Sequence, residues 1–201
     1  MTLLECDNSQ ACLRYLAFES MILTKREYKE RKVKFYKFDL CFMDDLEQVF
    51  KDNKIDSVIH FAAFKAVGES VDNPLKYYQN NVGGLCSLLE YMEEVKIKNI
   101  VFSSSCTVYG QPDELPVTEN APVKPAESPY GNTKQIGEEI IKDLVNSSSN
   151  FNAISLRYFN PIGAHPSALI GELPIGIPQN LVPYITQTAI GKRNELTVFG
   201  D

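Results

Sequence analysis

The segment Ile100-Val-Phe-Ser-Ser-Ser105 decides the fold, because a short apolar run that ends in three serines predicts a buried strand with polar residues at its end. A loop rich in proline and acidic residues follows from Gln111 to Pro129, and Tyr130 to Val145 has the period of a helix. Upstream, Ile55 to Ala63 is mostly apolar, as in a parallel strand covered on both faces. The pattern predicts β-α-β units.

The same alternation continues in both directions. We expect further strands at Val33–Phe38, Ala153–Tyr158 and Leu196–Phe199, and further helices at Asp44–Asn53, Pro74–Val95 and Leu181–Ile190. Repeated β-α-β units favour an α/β fold, a doubly wound parallel sheet of Rossmann-like type with helices on both faces.

Residues 1–32 do not follow this pattern. They are compatible with a helix from Gln10 to Lys32 whose second half is charged, and no strand is expected to open the chain. The sequence contains no GxxGxxG run, the loop that brings backbone amides close to a pyrophosphate. We therefore predict an incomplete fold that lacks the first strand and the glycine-rich loop, with an atypical segment at 1–32 and the α/β domain at 33–201.

Composition excludes several classes of function. The chain of 201 residues has a net charge of −6, so it has no basic field for nucleic acid or an anionic membrane. Five cysteines without a CxxC pair indicate reduced thiols, and two distant histidines predict no metal site. No signal peptide and no apolar run of about 20 residues is present. We expect a cytosolic protein without a membrane or nucleic-acid partner.

Three residues form the strongest chemical pattern, namely Ser105, Tyr130 and Lys134. The four-residue spacing of Tyr130 and Lys134 puts both on one face of a helix. A lysine ammonium favours the phenolate of a nearby tyrosine, whose ordinary pKa is about 10, and would suit it to proton transfer. Ser105 follows a neighbouring strand, at the sheet edge where open α/β sheets bind ligands. The pattern predicts a catalytic site.

Longer strings add a family resemblance. They are His60–Ser70, Tyr77–Asn81, Phe102–Gly110, Leu156–Pro161, Gly176–Leu181 and Thr197–Gly200. From about Val33 to Asp201 the chain resembles the UDP-glucose 4-epimerases, which belong to the extended short-chain dehydrogenase/reductase family. The resemblance makes 33–201 a partial NAD-binding domain with the start of a substrate-binding part. It also implies that the chain is truncated at both ends.

The resemblance implies NAD as the cofactor. Asp39 would meet the adenine, and Lys65 would lie near the phosphates. Asn80, or Asn81 if the pair is aligned one residue over, would lie near the nicotinamide. Other residues are expected to line the cofactor site: Phe61, Ala62, Ala63, Phe64, Ser105, Tyr130, Lys134 and Phe159.

The resemblance also implies the reaction, which is 4-epimerisation of UDP-glucose and UDP-galactose in galactose metabolism. Tyr130 would take the proton of the 4-hydroxyl while NAD takes the hydride, and the transient 4-keto sugar would turn before reduction. The implied substrate contacts are Ser105, Tyr130, Asn160, Asn180, Thr197, Val198 and Phe199. The resemblance leaves room for a homodimer.

Two departures from the family leave other interpretations open. The glycine loop is absent, and the chain ends at Asp201, before the arginine-bearing segment. Impaired activity is therefore expected, and the alternative is an inactive fragment or a non-catalytic nucleotide-binding remnant. A second alternative is a sugar-nucleotide 4,6-dehydratase. That enzyme would need an acidic pair after Thr107, where this chain has Val108 and Tyr109.

Overall fold

The computed structural model describes residues 2–5, 34–147, 150–163, 177, 178 and 180–198. The chain divides into two compact units, and the described part of the first ends at Phe159, whereas that of the second begins at Asn160. The expected helix from Gln10 to Lys32 lies outside the described residues.

The first unit contains parallel strands and helices in alternation. The strands are β1 (Thr2–Glu5), β2 (Lys34–Lys37), β3 (Val58–His60), β4 (Asn99–Ser105) and β5 (Asn152–Tyr158). The helices are α1 (Met43–Asp52), α2 (Val67–Asp72), α3 (Pro74–Tyr77), α4 (Gly84–Glu94) and α5 (Pro129–Ser147), and the second unit has α6 (Leu181–Ala189). β1 and β2 form one sheet and β3-β4-β5 another, and every pairing is parallel. The Rossmann-like α/β fold is confirmed.

Two expectations about strands are wrong. Thr2–Glu5 does form a strand at the start of the chain, and it pairs with Lys34–Lys37 along its whole length. A four-residue strand gains its stability from the neighbouring strand, and its own sequence is too short to show a period. The expected strand at Leu196–Phe199 does not form over its described residues, 196–198.

The three-stranded sheet has one well-covered face. Ile100 and Phe102 of β4 point to this face and are 2% exposed. The neighbouring His60 is 6% exposed, and its ring stacks on that of Phe102 at 5.9 Å between centroids. Leu85 and Leu88 of α4 complete the same core and are almost fully buried. Burial of these side chains supplies the main stabilisation of the unit.

Helix α5 crosses this face at a glycine. A Cβ atom added at Gly137 would lie 2.8 Å from Phe102 Cζ and 3.2 Å from Leu85 Cδ2. Only a residue without a side chain permits this approach of helix to strand. Gly137 therefore sets the distance between α5 and β4.

The segment expected as one helix from Pro74 to Val95 contains a change of helical type. Tyr78–Gly83 forms a π-helix between α3 and α4. A wider turn of this kind shifts the direction of the side chains that follow it, and such turns are frequent at functional sites. It carries Asn80 and Asn81.

We expect Gly137→Ala to destabilise the protein by about 1–3 kcal/mol, because the added methyl group overlaps the Phe102 ring. The control is Gly68→Ala in α2, where no atom lies within 4 Å of the added Cβ. Urea unfolding followed by circular dichroism measures both. Equal midpoints for the two variants would contradict the close packing of α5 on β4.

Candidate active site

The first turn of α5 is built to place Tyr130 and Lys134. Ser128 precedes the helix and its Oγ accepts from the backbone N of Gly131 at 3.1 Å, as an N-cap does. Pro129 occupies the first helical position, where its missing N–H costs nothing. Thr133 Oγ1 donates to the Tyr130 carbonyl at 2.7 Å. These two hydrogen bonds fix the first turn of α5 and thereby the position of Tyr130.

The Ser105 hydroxyl lies close enough to Tyr130 to lower the pKa of the phenol. Ser105 is the last residue of β4, is buried, and accepts from the backbone N of Thr107 at 3.3 Å. Burial raises the pKa of Tyr130, and the neighbouring Ser105 hydroxyl acts in the opposite direction. The expectation that the pKa of Tyr130 is lowered is therefore wrong for this structure, because desolvation of the phenolate outweighs the stabilisation of its charge.

Lys134 is buried beneath the same strand end. Its Nζ donates to the Ser103 carbonyl oxygen at 2.6 Å and lies 5.0 Å from the centroid of the Phe102 ring and 5.9 Å from that of Tyr130. Burial lowers its pKa to about 8, since the ammonium is disfavoured away from water. The structure thus brings Ser105, Tyr130 and Lys134 together at the carboxyl end of β4.

The two asparagines of the π-helix have different surroundings. Asn81 is buried: its Oδ1 accepts from Phe64 N at 2.8 Å, and its Nδ2 donates to Phe64 O and to Thr133 Oγ1. It joins the loop after β3 to the first turn of α5. Asn80 is half-buried and donates to Asn81 Oδ1 at 2.9 Å. Asn81 is a structural link, and Asn80 faces a cavity.

That cavity has a volume of about 300 Å³ and is lined by Asp39, Cys41, Phe64, Lys76, Gln79 and Asn80. It lies where the chain leaves β2 and β3, at the carboxyl end of parallel strands. A carboxylate, two amides and an aromatic ring suit the base and ribose of a nucleotide. The described residues fit these parts of a dinucleotide, and the sequence has no glycine loop for its pyrophosphate.

The other predicted cofactor residues lie around β3 and β5. Phe61 packs its ring against Tyr158 at 6.2 Å between centroids, and Ala62 packs against the core. Ala63 is half-buried, whereas Lys65 and Phe159 are exposed. No described contact joins Lys65 or Phe159 to Ser105 or Tyr130.

The predicted substrate residues Asn160, Asn180, Thr197 and Val198 belong to the second unit. Asn180 precedes α6, and Asn160, Thr197 and Val198 are exposed. Phe199 lies outside the described residues. Their assignment to the substrate stays a prediction.

Sequence reasoning missed an ion pair that supports the site. Arg157 of β5 donates from Nε and Nη2 to the two carboxylate oxygens of Glu138 at 2.9 and 2.7 Å. Ser104 donates to the same carboxylate, and the Arg157 guanidinium lies 4.7 Å from the centroid of the Tyr109 ring. Arg157 belongs to the segment Leu156–Pro161, which resembles the epimerases, but the sequence does not show which residue of α5 faces it.

It also missed Thr107, whose buried Oγ1 has no hydrogen-bond partner in the structure. Thr107 lies two residues after Ser105 and close to the first turn of α5. A Cβ atom added at Gly131 would lie 3.4 Å from the Cβ of Thr107. A ligand oxygen could form a hydrogen bond with this buried hydroxyl, which belongs to the residue whose backbone N donates to Ser105. Thr107 belongs to the segment Phe102–Gly110, and nothing in the sequence distinguishes it from its neighbours as a functional residue.

The described residues contain no group of three or more His, Cys, Asp and Glu side chains placed to bind a metal ion. Over the same residues, no helix has both the length and the apolar character needed to span a membrane.

The parallel sheet with helices between its strands defines a Rossmann-like α/β domain, and Ser105, Tyr130 and Lys134 come together at the carboxyl end of one of its strands. The chain belongs to the NAD dependent epimerase/dehydratase family, whose model matches residues 10–201.

Two curated relatives of this chain are both UDP-glucose 4-epimerases. The chain is 54% identical over 169 residues to UDP-glucose 4-epimerase 2 of Arabidopsis thaliana, which covers 84% of this chain and 48% of that protein. It is 51% identical over 176 residues to UDP-glucose 4-epimerase of Bacillus subtilis (strain 168), covering 88% of this chain and 52% of the other. The chain thus spans about half the length of these relatives.

A solved structure shows the same fold. The crystal structure of UDP-glucose 4-epimerase from Bifidobacterium longum in complex with NAD+ and UDP has a TM-score of 0.84 to this chain and 39% sequence identity. The similarity covers 100% of this chain and 66% of that one.

The two asparagines should respond differently to truncation. Asn81→Ala removes the hydrogen bonds to the Phe64 backbone, in the loop after β3, and to Thr133 in α5. The buried Phe64 amide is left unpaired, so we expect the free energy of unfolding to fall by about 1–3 kcal/mol. Asn80→Ala is the matched control and should change stability by less than about 0.5 kcal/mol. Urea unfolding of both variants decides this, and a larger loss for Asn80→Ala would reverse their roles.

Proposed function

We propose that this chain carries the proton-transfer part of an enzyme that interconverts UDP-glucose and UDP-galactose at C4 of the sugar. The observation that carries the proposal is the convergence of Ser105, Tyr130 and Lys134 at one strand end. The relatives named above, at 51–54% identity, are UDP-glucose 4-epimerases, which supports the substrate class.

The proposed cofactor is NAD, which would accept a hydride from the sugar carbon and return it, so that the net reaction is isomerisation. Asp39, Phe64 and Asn80, which line the cavity, are proposed to hold its adenosine part. Lys134 and Phe159 are proposed to contact the nicotinamide ribose and ring. Lys65 is proposed to meet the phosphates.

Tyr130 is the proposed acid and base. Its hydroxyl is protonated at neutral pH, because burial raises its pKa, and the Ser105 hydroxyl lies close to it. A proton can therefore pass between Tyr130 and a sugar hydroxyl that also reaches Ser105. The Lys134 ammonium, 5.9 Å from the centre of the tyrosine ring, lies where it would stabilise the phenolate once a ligand shields both from water.

The residues after Thr107 support an epimerase over a dehydratase. Val108 and Tyr109 are buried and carry no carboxylate for the elimination of water. The second unit is proposed to contribute Asn160, Asn180 and Thr197–Phe199 to the UDP-sugar.

We expect the 201-residue chain to bind NAD much more weakly than the Bacillus subtilis relative does, because its sequence supplies no glycine loop for the pyrophosphate. Isothermal titration calorimetry with NAD measures both proteins. Asn80→Ala should weaken the residual binding further, whereas Leu115→Ala, an exposed loop position, should not. A dissociation constant equal to that of the relative would contradict the importance of the loop.

Tyr130→Phe should reduce epimerisation by about 10²–10⁴-fold. The test replaces the matching part of the Bacillus subtilis relative by this sequence and follows the conversion of UDP-galactose. The control is Tyr36→Phe, since the Tyr36 hydroxyl accepts a hydrogen bond from Asn53 and has no proposed role in catalysis. A Tyr130→Phe rate close to that of the unchanged sequence would assign proton transfer to another group.

A further inference from the structure

The π-helix Tyr78–Gly83 contacts two regions of the first unit. Gln79 and Asn80, in its first half, line the cavity of about 300 Å³. Tyr78 and Asn81, on either side of them, form hydrogen bonds with the start of α5. Four consecutive residues therefore connect the cavity with the helix that carries the proposed acid and base.

Asn81 links a wall of the cavity to α5. Its side-chain amide bonds both backbone groups of Phe64, which lines the cavity. The same amide donates to Thr133 Oγ1 at 3.1 Å. Asn81 is 6% exposed and Thr133 is 2% exposed, so breaking one of these bonds leaves a buried polar group unpaired. The amide therefore holds the cavity wall and α5 in a fixed relation.

The hydrogen bonds between the cavity and Tyr130 form one chain. Asn80 Nδ2 donates to Asn81 Oδ1 at 2.9 Å, and Asn81 Nδ2 donates to Thr133 Oγ1. Thr133 Oγ1 donates in turn to the Tyr130 carbonyl oxygen at 2.7 Å. Every donor points from the cavity towards Tyr130, and hydrogen bonds aligned in this way polarise and strengthen one another. A change at Asn80 therefore affects the strength of the bond at Tyr130.

A second link lies beside this chain. Asn132 Nδ2 donates to the Tyr78 hydroxyl at 2.7 Å, and both residues are half-buried. Asn132 and Thr133 are adjacent, so the π-helix is attached to α5 at two consecutive positions, directly before Lys134. Two attachments restrain rotation as well as translation of the start of α5 relative to the π-helix.

We propose that the π-helix couples occupation of the cavity to the position of Tyr130. The positioning residues are those whose side chains join the π-helix to α5 at the two attachments, namely Tyr78, Asn132 and Thr133. The inference rests on the proposed function, in which the cavity holds the adenosine part of NAD and Tyr130 is the acid and base. Because coupling between two sites is reciprocal, a change in α5 should also alter binding in the cavity.

The coupling has a definite direction. Asn80 lines the cavity, and its Oδ1 can accept from a ligand N–H or O–H group while its Nδ2 stays bonded to Asn81. Such a ligand polarises the Asn80 amide and strengthens the bonds that follow it. Binding in the cavity and the intact chain of hydrogen bonds therefore stabilise each other.

The first test needs no ligand. The 201-residue chain is prepared with 3-fluorotyrosine, and the fluorine NMR signal of Tyr130 is identified by its absence in Tyr130→Phe. Asn80→Ala should shift this signal. Thr133→Val interrupts the chain of hydrogen bonds, so in its background the shift caused by Asn80→Ala should be at least about threefold smaller. Thr133→Ser keeps the hydroxyl and should keep the full shift.

Two further variants complete this test. Tyr78→Phe removes only the hydroxyl that accepts from Asn132, and it should also reduce the response to Asn80→Ala. It keeps the aromatic ring, so it provides the comparison if Thr133→Val does not fold. Thr118→Val changes an exposed loop position and should leave the response unchanged.

The second test uses 5′-AMP, which has the adenosine group but no nicotinamide that could contact Tyr130. Calorimetric titration below the melting temperature of each variant measures its affinity, and fluorine NMR follows the Tyr130 signal. Thr133 does not line the cavity, yet Thr133→Val should weaken AMP binding about 5-fold or more and abolish the shift that AMP causes. Thr133→Ser and Thr118→Val should both behave like the unchanged chain.

The coupling would be overturned if Asn80→Ala left the Tyr130 signal in place, or shifted it equally in the Thr133→Val and Thr133→Ser backgrounds. It would also be overturned by AMP binding that leaves the Tyr130 signal unmoved or moves it equally in Thr133→Val. Absence of AMP binding would contradict the adenosine site of the proposed function, and the comparison without ligand would then decide the coupling by itself.

Discussion

The close approach of α5 to β4 at Gly137 is the constraint on which the site depends. With no side chain at this position, the helix axis comes near enough for the Phe102 ring to fill the space between helix and sheet. Lys134 lies about one turn before Gly137 and Tyr130 about two turns before it. The contact at Gly137 therefore determines how far the Tyr130 and Lys134 side chains lie from the end of β4. There Lys134 donates to the Ser103 carbonyl, and Tyr130 lies close to Ser105.

A second attachment prevents the helix from rotating about that point. Arg157 and Glu138 form a two-pronged ion pair between β5 and α5, one residue beyond Gly137, and Ser104 adds a bond from β4. The pair is partly buried, at 24% and 16% side-chain exposure, so water screens it less than a surface pair. Its planar geometry restricts the direction of the carboxylate as well as its distance.

The chemical residues could be predicted from sequence better than their electrostatics. Tyr130 and Lys134 share a helix face because their spacing is local, and Ser105 ends a strand that its apolar run reveals. Burial of Tyr130 depends on groups brought in by the whole unit, so the direction of its pKa shift did not follow from the spacing. Strand β1 was missed for a related reason, since its partner lies about thirty residues away.

The proposed proton-transfer cluster and the cavity proposed for the nucleotide depend on different parts of the chain. Ser105, Tyr130 and Lys134 are held by β4, α5 and the π-helix, all within residues 78–147. Within this range Asn81 bonds Thr133, Thr133 bonds the Tyr130 carbonyl, and Lys134 bonds the Ser103 carbonyl. The cavity needs residues after β2 and β3, and those strands belong to two separate sheets. The alignment of Ser105, Tyr130 and Lys134 is therefore a local property of one sheet and one helix. The shape of the cavity also depends on how the β1-β2 sheet packs beside the β3-β4-β5 sheet, so the two parts of the proposed site rest on packing of different range.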